Sequence, residues 1–140
     1  MATYKALGPE HDVAFTADAD LTQSIYYFVT PASTAGNVKV ATGASNPAPF
    51  GVLQNAPSAG QEAQVRLFGS TKVFAVTPAG SGIAYGRYVT VNASGQAIPQ
   101  ATEAGSPVLG RWMDTGAPVS ASRYGNIILF PMAACAVSAS

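Results

Sequence analysis

Turn-forming residues divide this chain into short segments, and that pattern constrains its fold more than any other feature. The 140 residues include 14 Gly and 10 Pro, and no helical spacing of apolar residues is sustained between them. Turn signals recur about every 8 to 12 residues, a spacing typical of a β-sandwich or small β-barrel. We therefore predict an all-β fold, either a small barrel or a sandwich. The predicted strands are Ile25–Thr30, Val38–Thr42, Phe50–Gln54, Glu62–Phe68, Thr71–Thr77, Arg87–Asn92, Gly95–Ile98, Val108–Met113 and Asn126–Phe130.

Alternation within these segments predicts which side chains form the core. Glu62–Phe68 alternates apolar residues such as Val65 with polar residues such as Gln64, as a half-buried strand does. Asn126–Phe130 is apolar on both faces, which predicts a strand that is covered on both sides. The predicted core consists of Val38, Val40, Val52, Val65, Leu67, Val73, Val89, Val91, Ile127 and Leu129.

A faint internal repeat relates two parts of the chain. Gly36–Leu53 can be laid over Gly95–Trp112. In this overlay Gly51 meets Gly110, and both copies have a turn glycine, a strand, a loop with proline and a second strand. We interpret the repeat as two similar β-units that close one barrel, because a solenoid needs at least three repeats.

Charge excludes several classes of partner. Charged residues make up 10% of the chain and the net charge is zero, whereas an average soluble domain has about 25% charged residues. The chain has no basic surface for nucleic acid and no polybasic patch for a membrane, so we expect neither partner. No apolar run approaches the ~20 residues of a membrane span, and the first residues lack the apolar stretch of a secretory signal.

Candidate catalytic and metal-binding residues are scarce. The single Cys, Cys135, excludes an intramolecular disulfide and a multi-cysteine metal site. The single His, His11, has no serine nucleophile motif to serve, and the carboxylates Asp18 and Asp20 are too few for a calcium loop. We expect no enzyme activity, no catalytic residue, no metal and no cofactor. Synthesis in a reducing cytoplasm fits this cysteine usage.

The first twenty residues differ from the rest of the chain. They hold four carboxylates against Lys5 alone, and they have too few large apolar residues to offset their own ordering entropy. We predict an extended N-terminal arm at 1–20, one β-barrel or sandwich domain at 21–132, and a flexible tail at 133–140. The alternative is that Val13–Ala17 is the first strand of the domain's own barrel.

The order of the later segments carries a resemblance to a known family. The segments are GVL at Gly51–Leu53, QVRLFG at Gln64–Gly69, AYGRYVTVNASGQ at Ala84–Gln96, VLGRWMD at Val108–Asp114, and a last apolar strand that ends in Pro131. This order, over roughly residues 20–131, resembles the small capsid decoration, or capsid cement, proteins of tailed bacteriophages.

The resemblance implies a function and a location. Such proteins are compact β-modules that bind the outside of the phage head, contact the major capsid protein and stabilise the shell against internal DNA pressure. It implies a homotrimer on the virion head surface, made in the host cytoplasm. It also implies that the N-terminal arm lies on the capsid, where the predicted interface residues are Tyr4, Leu7, Val13, Phe15, Asp18 and Asp20.

Two other functions are compatible with the sequence. A carbohydrate-binding or adhesion module would need an exposed aromatic platform, for which Trp112, Tyr85 and Tyr88 are the candidates. A subunit of a phage tail or baseplate would also be all-β and oligomeric.

Overall fold

A computed structural model of the protein describes residues 12–43, 48–77, 83–99, 108–114 and 122–130. Within these ranges the chain forms strands, turns and bends but no helix, which confirms the all-β prediction. The strands of this part of the chain are β1 (Asp12–Ala17), β2 (Phe28–Pro31), β3 (Asn37–Val40), β4 (Gly51–Leu53), β5 (Glu62–Arg66), β6 (Gly69–Val76), β7 (Tyr88–Val91), β8 (Ala97–Pro99), β9 (Gly110–Trp112) and β10 (Ser122–Leu129).

The first half of the chain forms a closed five-strand barrel, barrel 1. Its strand order is β1-β3-β2-β4-β5, and β5 pairs back onto β1. β1 and β3 are parallel, whereas the other neighbouring strands are antiparallel. Alternation along the strands places one face inside, so that Val29, Leu53 and Val65 are fully buried in one apolar cluster.

The second half forms another closed five-strand barrel, barrel 2. Its order is β6-β8-β7-β9-β10, with β10 paired back onto β6. β6 and β8 are parallel, and the remaining neighbours are antiparallel. Val89, Trp112 and Ile127 are buried in its cluster. β5 leads into β6 through Leu67 and Phe68, so the chain passes directly from one barrel to the other.

The two barrels are copies of one architecture. Strands β1 to β5 correspond in order to β6 to β10, and each parallel or antiparallel pairing recurs. The register recurs as well: Val29 lies opposite Gly51 in barrel 1, and Val89 lies opposite Gly110 in barrel 2. Residues at the same register position are called equivalent below.

The internal repeat predicted from the sequence is therefore present, with Gly51 equivalent to Gly110. The expectation that its two units share one barrel is wrong. Each repeat unit has its own first and last strand, β1 with β5 and β6 with β10, and these pair with each other. Pairing of the outer strands closes each unit separately.

The predicted core agrees with burial at most positions. All the predicted core residues are buried except Val40 and Leu67, which are half-buried and pack against the cluster of barrel 1. The strand Asn126–Phe130 differs from its prediction. Ile127 and Leu129 point into barrel 2, but Ile128 remains 38% exposed, since a barrel wall has one inner face.

The structure describes only the second part of the predicted N-terminal arm at 1–20. Asp12–Ala17 forms β1 and pairs with both β3 and β5, so these residues belong to barrel 1, as the alternative of an intrinsic strand states. Residues 1–11 and the predicted tail at 133–140 lie outside the described residues. In the described part of the chain, no helix has the length and apolar character needed to cross a membrane.

Candidate protein-binding surface

A junction of backbone hydrogen bonds joins the two barrels. The N–H of Phe74 on β6 donates to the carbonyl of Tyr26 at 3.0 Å, and the N–H of Phe28 donates to the carbonyl of Gly95 at 2.9 Å. Gln54 Nε2 donates to Thr71 Oγ1 at 2.8 Å. The segment from 26 to 28 of barrel 1 thus lies against the β6 strand and the β7–β8 turn of barrel 2.

Aromatic rings and apolar side chains fill the same junction. Tyr27 stacks on Phe74 with a centroid distance of 5.5 Å, and Tyr26 meets Tyr124 edge to face at 5.8 Å. Such pairs add roughly 0.5–1.5 kcal/mol each beyond area burial. Side chains of barrel 1 and of the residue after β3 also join the apolar cluster of barrel 2; they are Phe28, Val52 and Ala41.

Tyr26 has a backbone conformation that residues other than glycine rarely adopt. Its φ is +69°, in the left-handed region. The equivalent residue in barrel 2 is Gly86, with a φ of +82°, which has no Cβ and so no steric cost there. The fold therefore requires this conformation at both places, and at Tyr26 the ring contacts of the junction offset a strain of about 1–2 kcal/mol.

The equivalent surface of barrel 2 is exposed and mainly apolar. We call it the open face; it consists of Tyr85, Gly86, Tyr88, Arg111, Met113 and Ile128. Most of these residues line a groove of about 360 Å³. Tyr85 is 62% exposed and Met113 is 37% exposed. A patch of Tyr, Met and Arg has the composition of a protein interface.

The side chains of the open face are held in place by local contacts. The guanidinium of Arg111 lies 4.9 Å from the centre of the Tyr88 ring, and its Nε donates to the carbonyl of Gly86 at 3.2 Å. Tyr88 in turn contacts Phe130 edge to face at 6.5 Å. A partner would therefore meet a preorganised cation and an aromatic ring, with less side-chain entropy to lose on binding.

Two of the predicted interface residues lie on β1. Val13, the second residue of β1, is 38% exposed. Phe15 is half-buried and stacks on Phe50 at 5.0 Å, so its ring contributes to the barrel more than to a surface. At the start of the same strand, Arg66 donates two hydrogen bonds to the carboxylate of Asp12, at 2.7 and 3.0 Å. The hydrogen bond that Asp12 accepts raises the pKa of Arg66.

The other predicted interface residues lie after β1 or before the described residues. Asp18 is exposed and accepts a hydrogen bond from Asn37 Nδ2 at 2.9 Å. Asp20 is also exposed, and hydrogen bonds from Thr22 lower its pKa. Tyr4 and Leu7 lie outside the described residues. Val13 and Phe15 thus lie on β1, whereas Asp18 and Asp20 lie in the loop beyond the end of this strand.

The aromatic platform required for a carbohydrate module is not formed. Trp112 is 1% exposed because its indole lies inside barrel 2 against Gly125. Tyr85 and Tyr88 are exposed, but without Trp112 they belong to the open face. The described residues hold no group of three or more His, Cys, Asp or Glu side chains that could ligate a metal ion.

The sequence predicts only part of the open face. It indicates Tyr85 and Tyr88 as exposed aromatic candidates, but it predicts a doubly covered strand for Ile128 and does not single out Arg111. The available signal was the internal repeat: the overlay that matches Gly51 with Gly110 also matches Val52 with Arg111, an apolar residue with a charged one. Such a change indicates that one copy is covered and the other is exposed.

Comparison with known proteins finds a match in structure. No family model and no curated protein matches the chain. The head fiber gp8.5 N base in bacteriophage phi29 shares the fold with a TM-score of 0.60, over 86% of this chain and 93% of that chain. The two sequences are 17% identical, so the match shows a common fold of nearly the whole of both chains.

Proposed function

We propose that this protein is a structural component of a bacteriophage head, which binds the outside of the shell and cements its major capsid protein subunits. The observation that carries the proposal is the fold shared with the head fiber gp8.5 N base, which extends over 86% of this chain. The resemblance of the segment order to capsid cement proteins supports the same function independently.

The arrangement of the molecule suits a linking role. A cement protein needs rigid contact surfaces and no active site. The two barrels, whose strands in the described part of the chain close without a free sheet edge, supply the rigidity. The junction residues, among them Tyr26 and Phe74, fix the barrels relative to each other. Separate exposed surfaces on the two barrels can then contact different neighbouring subunits.

We assign the capsid contact to the segment before β1 and to the loop after it. The segment with Tyr4 and Leu7 leads into β1, and the exposed carboxylates of Asp18 and Asp20 follow it. An extended segment can add to the edge of a capsid sheet and satisfy its backbone groups there. Copies of the protein associate as a homotrimer on the head surface, which is its proposed location in the virion.

The test is binding to purified heads that lack this protein. The full chain is mixed with expanded empty heads, sedimented and quantified in the pellet. We expect saturable binding at regular sites and an increase in the temperature at which DNA-filled heads release their DNA. Binding to tails but not to heads, seen by immunogold labelling of virions, would contradict the proposal.

Truncations separate the capsid contact from folding. Deleting residues 2–11 removes the segment before β1 but leaves the strand itself, which begins at Asp12. We expect loss of head binding with an unchanged melting curve. Deleting residues 133–140 is the matched control at the other terminus and should leave binding intact. Equal affinity of both truncated chains would contradict the assignment of the N-terminal segment.

A further inference from the structure

The junction and the open face are the same surface of the repeat in two environments. In barrel 1 this surface is covered by barrel 2. Its residues are Tyr26, Phe28, Val52 and Gln54. In barrel 2 the equivalent surface faces solvent. Its residues are Gly86, Tyr88, Arg111 and Met113.

We propose that the open face of barrel 2 binds barrel 1 of a second copy of this chain, on the side of β1. The contact is head to tail, and it repeats between molecules the junction that joins the two barrels within one molecule. It rests on the self-association in the proposed function but does not depend on the head. The intramolecular junction identifies the occupant, because it shows that this surface of the repeat accepts the first strand of another repeat unit.

One pair of side chains supports the contact directly. Within the molecule, Gln54 donates to Thr71 across the junction at 2.8 Å. The residue equivalent to Gln54 is Met113, and the residue equivalent to Thr71 is Val13. The hydrogen-bonded polar pair within the molecule therefore corresponds to an apolar pair, Met113 and Val13, in the proposed contact between two molecules. Met113 and Val13 are 37% and 38% exposed in the single chain, and the head-to-tail contact would bury them against each other.

Charge supports the same pairing. Tyr26 meets Tyr124 in the junction, and the equivalents of these residues are Gly86 and Glu62. Arg111 donates to the carbonyl of Gly86 at 3.2 Å, while Glu62 is exposed on β5. The contact therefore brings an exposed carboxylate close to an exposed guanidinium, a complementarity that favours this orientation over others.

The backbone offers matching groups. In barrel 2, the N–H of Phe74 and the carbonyl of Gly95 each bond to barrel 1. Their equivalents in barrel 1 are the N–H of Thr16 and the carbonyl of Gly36, which bond to each other at 3.0 Å. Docking of a second copy exchanges this one bond for bonds to the incoming segment. The amide of Thr16 therefore reports on the contact.

A head-to-tail contact is heterologous, so each copy has one open face and one β1 side to offer. Repetition of such a contact generates a closed ring when its rotation closes and a filament when it does not. The proposed homotrimer is the ring of three copies, which would carry six barrels around its circumference.

The experiment is disulfide trapping between two different variants. The native thiol is first removed by Cys135→Ser, since Cys135 is the sole cysteine of the chain. Val13→Cys and Met113→Cys are then made separately in this background, mixed in equal amounts and oxidised with copper phenanthroline. We expect a covalent dimer from the mixture and little from either variant alone. Lys39→Cys, an exposed position on β3, replaces Val13→Cys in the control mixture and should give little product.

Three outcomes decide the proposal. Trapping in the mixture, together with slower amide exchange at Thr16 as concentration rises, supports it. Efficient trapping of Met113→Cys with itself would overturn it in favour of a two-fold contact. No trapping at millimolar concentration or on decorated heads would overturn it as well, and head binding that persists in that case leaves the proposed function standing.

A charge exchange gives an independent measurement. Arg111→Glu and Glu62→Arg should each weaken self-association by about tenfold, and the double variant should recover much of the loss. Light scattering across a dilution series measures the effect. Equal self-association of the wild type and both single variants would contradict the pairing of Arg111 with Glu62.

Discussion

The two barrels share one backbone plan but fill it with different side chains. In barrel 1, the inward position on β4 is Leu53, and Ala63 on β5 lies two residues before Val65, the register partner of Leu53. In barrel 2, the equivalent positions hold Trp112 and Gly125, and the indole lies where a Cβ of residue 125 would be. The larger residue of barrel 2 on one strand is accompanied by a smaller one on the next, so the two barrels pack the equivalent positions in different ways. The comparison teaches that the two repeat units share the same strand register, although they do not share the same core residues.

The outer surfaces differ for another reason. Val52 of barrel 1 is fully buried under barrel 2, whereas its equivalent Arg111 is exposed on the open face. The same pleat position is thus apolar where a neighbouring barrel covers it and charged where none does. The difference between the repeats at outward positions therefore reflects whether a neighbouring barrel of the same chain covers the surface.

The largest expected effect tests the feature that both barrels share. Gly51 and Gly110 each lie where an added Cβ would overlap a backbone carbonyl, of Arg66 and Ile128 respectively. Because a carbonyl in a barrel wall cannot move aside, we expect Gly51→Ala and Gly110→Ala each to destabilise by more than about 3 kcal/mol. Urea unfolding followed by circular dichroism measures the loss.

The control for these variants is Gly60→Ala. Gly60 has a φ of +84° but no atom within 4 Å of an added Cβ, so the substitution adds conformational strain of about 1 kcal/mol without an overlap. If Gly51→Ala or Gly110→Ala costs no more than Gly60→Ala, then the close approach of strands is not a requirement of the repeat.

The second prediction uses a residue that both repeats share. Leu129 and its equivalent Leu67 are the same amino acid, but Leu129 is 1% exposed and Leu67 is half-buried. We expect Leu129→Ala to cost about 2–5 kcal/mol and Leu67→Ala about 1–2 kcal/mol. Thermal melts of both variants check the order. Equal losses would show that the two barrels are equally well packed at this position.

Much of this fold was predictable from local pattern. The alternation in Glu62–Phe68 predicted β5, and the Asn92 to Gly95 turn predicted the hairpin of β7 with β8, which the structure shows. Barrel closure was not predictable, because it depends on the parallel pairing of β1 with β3 and of β6 with β8. Parallel pairs join segments that are distant in sequence, and no local pattern encodes which strand edge meets which.

The candidate site was less predictable than the fold. The sequence predicts a capsid contact for Val13, whereas the proposed contact between copies, which follows from the structural repeat, pairs it with Met113. Whether Ile128 is covered depends on a neighbour that lies beyond the strand itself. Burial of an outward side chain is a tertiary property, and an apolar run such as Asn126–Phe130 reads the same in both cases.

The third prediction replaces a pair of core residues in one barrel by the equivalent pair of the other barrel. Gly125→Ala places a Cβ on the indole of Trp112 and should cost about 1–3 kcal/mol. Adding Trp112→Leu recreates the Leu and Ala pair of barrel 1 and removes the overlap. We expect the double variant to be more stable than the sum of the single effects by at least about 0.5 kcal/mol.

The matched control for this exchange lies in barrel 1. Ala63→Gly should make room for Leu53→Trp, which alone overpacks the barrel. Chemical denaturation of the wild type, the two single variants and the double variant gives one double-mutant cycle for each barrel. Additive effects in both cycles would show that positions 53 and 63, and likewise 112 and 125, are not coupled, and the comparison of the two cores would then fail.

The smallest expected effect concerns the strained residue of the junction. Tyr26 and Gly86 are equivalent and both have positive φ, so the side chain of Tyr26 is retained against a steric cost. Tyr26→Ala removes the ring contacts and keeps the Cβ, whereas Tyr26→Gly also relieves the strain of about 1–2 kcal/mol at an entropic cost of about 0.4–1 kcal/mol. We therefore expect Tyr26→Gly to be more stable than Tyr26→Ala by about 0.5–1 kcal/mol.

The control is the neighbouring Tyr27, which has no positive φ. There the order of the two variants should reverse, because glycine brings the entropic cost without any relief of strain. Urea titrations of the four variants measure both differences. If alanine is the more stable replacement at position 26 as well, then the repeat does not impose the left-handed conformation there. The shared positive φ of Tyr26 and Gly86 would then have no measurable effect on stability.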